Sequence, residues 1–379
     1  MFSYQKIYKA YLDCRQNKRS TVNALNFEWK QERNLFELKE ELQNKTYEPG
    51  RSICFVVTDP SPREIFAATF KDRVVHHVLV NELEEAGERA FIHDSYSCRE
   101  GKGTHKAVER LQKFMRKVTD NYNQKAYYLQ LDISGFFMNI DRNILKAILK
   151  KLILKQQKPY QWKKNVFWLG QKVISYDPTD NYITKGNKEL FDLIPPRKSL
   201  FESGPDKGLP IGNYSSQFFA NLYLNQLDQF VKRELKRSYY LRYVDDFIIL
   251  GKNKERLKSL IKKINNFLKS TLNLRLNSSK TKLKGLKQGV DFLGYFVKPH
   301  CILVRERVVN TLKKKLRDFN QKKEIDPKQV LATINSYFGH FKHADSLNLR
   351  KDICENHLKE LKNLLEPEEN YSALQLKEC

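Results

Sequence analysis

Residues 239–250 read Tyr239-Tyr240-Leu241-Arg242-Tyr243-Val244-Asp245-Asp246-Phe247-Ile248-Ile249-Leu250. Two runs rich in aromatic and β-branched residues are separated only by Val-Asp-Asp, which predicts a tight hairpin with an acidic tip. A second run, Tyr127-Tyr-Leu-Gln-Leu-Asp132-Ile133, predicts a strand that ends on another aspartate. Taken singly, Asp-Asp is an ordinary turn signal and Asp132 an ordinary strand end. Brought together on adjacent strands, the three carboxylates would suit two Mg²⁺ ions, with Mn²⁺ as a possible substitute. Such hard cations prefer oxygen ligands and keep positions open for substrate phosphates. Two of them about 4 Å apart can activate a hydroxyl nucleophile and stabilise a leaving pyrophosphate.

Outward from these strands, elements of both kinds alternate without a βαβ rhythm, which predicts an α+β fold. The first forty-odd residues place apolar side chains (Tyr8, Leu12, Leu25, Trp29, Leu35, Phe36) at helical intervals, predicting two helices. Ser52–Val57 and Arg63–Ala67 read as a hairpin, and Lys71 to about Glu85 as a helix that contains His76-His77. Adjacent histidines on a helix face different ways, so no metal site is read there. Phe136 and Phe137 fall in a short loop after Asp132, followed by a helix over about 142–155. Residues 158–207, with several prolines and glycines, read as an insertion of limited regular structure. Gly208-Leu-Pro-Ile-Gly212 opens an amphipathic helix. A helix over about 254–271, a basic turn over 277–284 and a strand near 291–297 follow, and beyond Arg305 the sequence is helical and dense in lysine.

The balance of 69 Lys and Arg against 44 Asp and Glu gives a formal charge of +25, which fits a polyanionic partner and equally a lysine-rich solvated surface. Six scattered cysteines (Cys14, Cys54, Cys98, Cys301, Cys354, Cys379) show no zinc spacing and read as reduced thiols. With no leader and no run of eighteen apolar residues, the expectation is a cytoplasmic protein with no membrane partner.

Tyr243-Val244-Asp245-Asp246 resembles the Y-x-D-D box of reverse transcriptases, and Leu131-Asp132-Ile133-Ser134-Gly135-Phe136-Phe137 resembles the acidic motif that precedes it. The resemblance implies a right-hand polymerase with fingers, a palm built on an antiparallel sheet, and a helical thumb. Its divisions would be an N-terminal helical extension over 1–48, fingers over 49–125, a palm over 126–300 that includes part of the fingers and the 158–207 insertion, and a thumb and tail over 301–379. It makes Asp132, Asp245 and Asp246 catalytic, with Ile133 joining them around the metals. It assigns deoxynucleotide binding to Arg63, Lys71, Arg73, Phe136, Phe137 and Lys280, with Phe137 as a ring that would clash with a ribose 2′-hydroxyl. Ser95-Tyr-Ser-Cys-Arg99-Glu-Gly-Lys102-Gly-Thr-His resembles a nucleic-acid-contacting segment of group II intron enzymes. Template and primer contacts are thereby implied for Arg99 and Lys102, for Gly208 and Pro210, for the hairpin Phe292-Leu293-Gly294, and for Lys313, Lys314 and Arg317 on the thumb, which would meet an A-like duplex through its phosphates.

One box departs from the general pattern. Where most reverse transcriptases carry Q-G-x-x-x-S-P, this chain has Ile211-Gly212-Asn-Tyr-Ser-Ser216-Gln217, which resembles the enzymes of diversity-generating retroelements. The preceding Ile194-Pro-Pro-Arg-Lys-Ser-Leu200 carries the same resemblance. An aliphatic side chain offers contact area but neither donor nor acceptor, so Ile211 in place of Gln would relax base selection. Ile211, Gly212, Ser216 and Gln217 are the implied fidelity residues. The resemblance further implies error-containing copying of a template-repeat RNA, chiefly opposite adenines, from a cDNA primer and dNTPs, with a basic, ring-forming accessory variability protein as partner. The competing readings are an intron, retron or defence reverse transcriptase of ordinary fidelity, and an inactive RNA-binding protein of the same fold.

Overall fold

The computed structural model describes residues 2–377 apart from 17–20, 60 and 323; Cys379 lies outside the described residues. Two hairpins and the strands added to them organise the chain. Ser52–Val57 (β1) pairs antiparallel with Arg63–Ala67 (β2), and Tyr127–Asp132 (β3) is an inner strand of a separate sheet. Tyr182–Thr184 (β4) joins the first sheet, parallel to β1. Tyr240–Tyr243 (β5) and Asp246–Gly251 (β6) form the acidic-tipped hairpin, and Lys282–Gly285 (β7) closes a four-stranded antiparallel sheet of order β5-β6-β3-β7. Val290–Phe292 (β8), Tyr295–Val297 (β9) and Ile302–Val304 (β10) make a third, small sheet.

Strands β3, β5 and β6 are largely buried on both faces because they are mostly apolar, whereas the edge strand β7 exposes Lys282 and Lys284. Leu129, Leu131, Phe247 and Ile249 point into one core with the helices Phe70–Ala90, Tyr214–Gln229 and Lys254–Leu272. Tyr128, Leu241, Ile248 and Leu250 point the other way, against helix Thr104–Val118 and the β8–β9 hairpin. This alternation is the period of two that a strand imposes on its side chains. A third core belongs to the C-terminal region, where helices Glu306–Gln321 and Pro327–Phe341 bury Leu312, Leu316, Ile334 and Phe338. Among the described residues no helix is long and apolar enough to cross a membrane. The arrangement is α+β, a palm-like sheet carrying helices, as the right-hand polymerase fold requires.

Four expectations need correction. The N-terminal segment holds three helices, Tyr4–Arg15, Val22–Glu28 and Gln31–Asn44. The chain leaves helical geometry at Lys30 so that Phe27 can pack on Tyr11 and Phe70, and Trp29 is left 87% exposed. The 158–207 segment contains a sixteen-residue helix, Tyr160–Ser175. Its Gly170, which resembles a breaker in sequence, is there because a Cβ would come within 2.5 Å of Leu149 on the neighbouring helix Arg142–Leu154. Phe136–Asn139 is a helical turn rather than a loop. Finally, the tail carries a small hairpin, Leu365–Pro367 with Leu374–Leu376, which caps the C-terminal core.

Candidate active site

Strand pairing brings the three aspartates together. Asp132, the last residue of β3, is the register partner of Asp246, the first of β6, so the two share a face of the sheet. Gln130, two residues before Asp132 and therefore on that face, donates from Nε2 to both Asp246 oxygens at 3.3 Å. Asp245 lies in the two-residue turn, after Val244 in the left-handed region at φ +54°. A β-branched residue is strained there and persists only where its surroundings hold it. Arg242 is one of those surroundings. It is wholly buried and donates from Nη1 to the Val244 carbonyl at 2.9 Å. Its other nitrogens meet both oxygens of the equally buried Asp228, at 2.8 and 2.7 Å, and Ser95 Oγ at 3.1 Å. On the other flank, Tyr243 Oη accepts from Thr104 Oγ1 at 3.1 Å.

Burial and mutual repulsion set the electrostatics of the tip. Burial first, then the nearby Asp132 charge, pushes Asp245 up to about 6. Burial, followed by Asp245 and Asp132, pushes Asp246 up to about 7 against the opposing hydrogen bond from Gln130. Asp132 is engaged by cationic and amide donors, Lys280 Nζ on Oδ2 at 2.7 Å and Asn277 Nδ2 on Oδ1 at 3.0 Å. Among the described residues no three acidic, cysteine or histidine groups already converge as a metal cage. The donor set nonetheless fits hard cations: carboxylate oxygens, like charges crowded in a buried place, and a lysine supplying positive charge to one of them.

These groups line a cleft of about 380 Å³. Asp132, Ile133, Val244, Asp245 and Lys280 form its floor, and Asp246 lies just behind, against Gln130. Phe136 and Phe137 both border it. Phe136 is buried in the core, whereas Phe137 is half-buried and available to meet an occupant. Gly135 is needed at this point, because at φ +53° a Cβ would lie 2.6 Å from the Arg197 carbonyl. The opposite wall is Ser61, Arg63, Arg197, Lys198 and Ile211. The buried Glu64 of β2 ties that wall together, accepting from Ser199 Oγ at 3.0 Å and from the Leu200 amide. Burial raises its pKa while those two bonds oppose the rise. The Phe66 amide donates to the Ile211 carbonyl at 3.1 Å, which fixes Ile211 to the same strand. The cleft therefore sets carboxylates against guanidinium and ammonium groups, an arrangement suited to a polyphosphate and its counter-cations.

Arg197, Lys198 and Asn277 carry no individual signal in the sequence. Only the resemblance of the stretch 194–200 hints at the first two. Several other residues assigned by resemblance lie elsewhere. Lys71 is away from the cleft, paired with Glu41 at 2.6 Å beside Tyr47. Arg73 is half-buried on helix Phe70–Ala90 and does not line the cleft. Arg99 is consumed internally by Glu88 and by the carbonyls of Ile92 and Ser95 at 2.8 Å, with its side chain only 5% exposed. Lys102 donates to the His93 carbonyl at 2.9 Å and borders a separate basic depression. Gly208 and Pro210 are buried, and Gly208 at φ +85° fits under Leu200. Adjacent to them, the Leu209 amide donates to the Phe137 carbonyl at 2.9 Å, so this segment supports the aromatic turn. Gly212, at φ +115°, fits beside Ile65; Ser216 is buried in its helix and Gln217 faces solvent. Phe292 is buried, and Leu293 and Gly294 form a positive-φ turn beside His340. On the C-terminal helix Lys313 is paired with Asp352 at 3.2 Å, while Lys314 and Arg317 are exposed.

Residues 58–297 match the reverse transcriptase (RNA-dependent DNA polymerase) family. Protein YkfC of Escherichia coli (strain K12) is 23% identical over 320 residues, covering 74% of this chain and 76% of that protein. Nuclear intron maturase 1, mitochondrial, of Arabidopsis thaliana is 20% identical over 295 residues, 60% of this chain but 40% of the maturase. Among solved structures, telomerase from Candida albicans in complex with a fragment of telomeric RNA aligns with a TM-score of 0.48 at 13% identity, over 90% of this chain and 61% of that one. The chain thus spans less than two thirds of the length of both the maturase and the telomerase. It belongs to the reverse transcriptase family.

Proposed function

We propose that this member of the family copies an RNA template into DNA with relaxed base selection, the activity of a diversity-generating retroelement. Asp132, Asp245 and Asp246 hold divalent cations, Mg²⁺ by the chemistry of their oxygens, and these ions supply Lewis-acid stabilisation of the transferring phosphoryl group when bound. Arg63, Arg197, Lys198 and Lys280 receive the triphosphate. Phe137 excludes the ribose 2′-hydroxyl. The observation that carries the finer reading is Ile211: an aliphatic side chain borders the nucleotide cleft where a Gln amide would make directed hydrogen bonds. On this reading the template is a template-repeat RNA, errors concentrate opposite adenines, and an accessory variability protein assists.

A second reading, an intron-type reverse transcriptase of ordinary fidelity, is favoured by the likeness to the plant intron maturase. Sequencing of cDNA made by the purified chain on a defined RNA, with dNTPs and Mg²⁺, separates the two. Misincorporation concentrated opposite template adenines supports the retroelement reading. A low error rate spread over all four bases supports the intron-type one, and a chain that incorporates nothing refutes both.

A further inference from the structure

Residues 142–176 contain nine Lys or Arg and no Asp or Glu. In a protein with 44 acidic residues, an acid-free stretch of this length marks a face built for one sign of charge. It folds into the antiparallel pair Arg142–Leu154 and Tyr160–Ser175, whose apolar residues Leu145, Leu149, Val166 and Leu169 pack inward and leave the lysines at the surface, while Arg142 is buried. Three of the nine have other engagements: Arg142 with Asp177, Lys172 with Glu48, and Lys163 with the Leu154 carbonyl. Lys146, Lys150, Lys151, Lys155, Lys158 and Lys164 make no ion pair among the described residues. None of these six borders the catalytic cleft.

Two further features point to the ligand. The tip between the helices exposes Tyr160 (79%) and Leu154 (58%) among Lys155, Lys158 and Lys164, an aromatic surface within a cationic one. Beside it, Lys151 and Lys155 share a depression of about 400 Å³ with Arg89 and Arg233, over an apolar floor of Ile148 and Leu222. Along the first helix the pairs Lys146–Lys150 and Lys151–Lys155 are four residues apart, a rise of roughly 6 Å, comparable to the step between successive phosphates of a strand. Unpaired cations at phosphate spacing with an interleaved aromatic ring suit a nucleic-acid strand better than an acidic protein.

We infer that this helical pair is a second nucleic-acid site, separate from the catalytic cleft, that grips the RNA beyond the segment being copied. Lysines hold the phosphodiester backbone and Tyr160 stacks on an unpaired base. The identification of the strand as RNA rests on the polymerase reading.

The test compares the parent with a variant carrying Lys150→Gln, Lys151→Gln, Lys155→Gln, Lys158→Gln and Lys164→Gln, and separately with Tyr160→Ala. Binding to a structured RNA of about one hundred nucleotides is titrated against salt, and extension is measured on a short primer–template that fills only the cleft. The five-lysine variant is expected to bind the long RNA at least tenfold more weakly. The slope of log affinity against log salt should fall by roughly 0.7 for each single-strand phosphate that is no longer neutralised. Tyr160→Ala is expected to weaken binding about fivefold or more, the scale of one base–aromatic stack, with the salt slope unchanged. Short-template extension and thermal stability stay at the parent's level in both. Unchanged long-RNA affinity and slope overturn the site, as does an equal loss on long and short templates. Failure of the parent to extend the short template would strike the polymerase reading, while a salt-dependent loss of RNA binding in the variants would still stand for the site.

Discussion

The root and the tip of the β5–β6 hairpin treat buried charge in opposite ways. At the root, Asp228 and Arg242 are both inaccessible and face each other bidentately, with Tyr240 Oη donating a further 2.6 Å bond to Asp228. At the tip, Asp245 and Asp246 are pushed to about 6 and about 7 by burial and by neighbouring carboxylates. A few residues of strand separate a fully compensated charge from an uncompensated one. Burying an ion pair costs desolvation that its attraction only partly repays, so the root contributes geometry more than stability. It holds the Val244 carbonyl and so aims the turn. On the proposed function the tip keeps its repulsion because cations would bind there, the usual exchange of stability for function at an active site.

The strongest way to break this contrast is at the tip. Asp132→Ala should lower primer extension by roughly 10³-fold or more, the loss of several kcal/mol of metal-ion stabilisation, while the protein remains folded by circular dichroism. Next is the root. Asp228→Asn leaves Arg242 buried without its counter-charge and should cost about 3–5 kcal/mol in denaturant unfolding. The pair Asp228→Leu with Arg242→Met should recover much of that stability yet leave extension impaired, because no donor then reaches the Val244 carbonyl. Full activity in the double variant would show that Arg242 does not aim the turn.

A smaller effect follows from pH. Because the folded pKa values of Asp245 and Asp246 lie above the ordinary carboxylate range, their ionisation opposes folding. Stability contributed by these groups is fully present below about pH 4 and is lost as pH rises through about 6 to 7. Without divalent cations, Asp246→Asn should therefore melt higher than the parent at pH 8, by a few degrees, and equally at pH 4. Mg²⁺ should raise the parent's melting temperature at pH 8 and have little effect at pH 5. The smallest expected change in rate is that of Ile211→Gln. One added hydrogen bond, worth about 0.5–1.5 kcal/mol, should lower misincorporation opposite template adenines roughly two- to tenfold, read by sequencing the products. An unaltered error spectrum would remove Ile211 from base selection.

The floor of the cleft was legible because it is local. Strands of period two and a two-residue turn are written in consecutive residues; register then pairs Asp132 with Asp246, and the turn held by Arg242 carries Asp245. On the opposite wall Arg63 and Ile211 were legible from their motifs, but the place of Arg197 and Lys198 depends on Glu64 reaching 135 residues along the chain to Ser199, and only the resemblance of 194–200 hints at it. Which basic residues are free was illegible for a related reason. Whether a cation is free depends on a distant acid: Glu41 takes Lys71 and Asp352 takes Lys313, while Arg99 is taken by Glu88 from the preceding helix. Gly170 hid a helix because its value lies in its packing against Leu149, which composition does not record.

The most direct measurement is extension of a DNA primer on an RNA template by the purified chain and its Asp245→Asn variant, each with Mg²⁺ and with chelator. Extension by the parent that is abolished both by the substitution and by chelation is the expected result. A variant that extends as well as the parent, or extension that persists in chelator, would contradict the assignment of the hairpin tip as a cation-dependent polymerase centre.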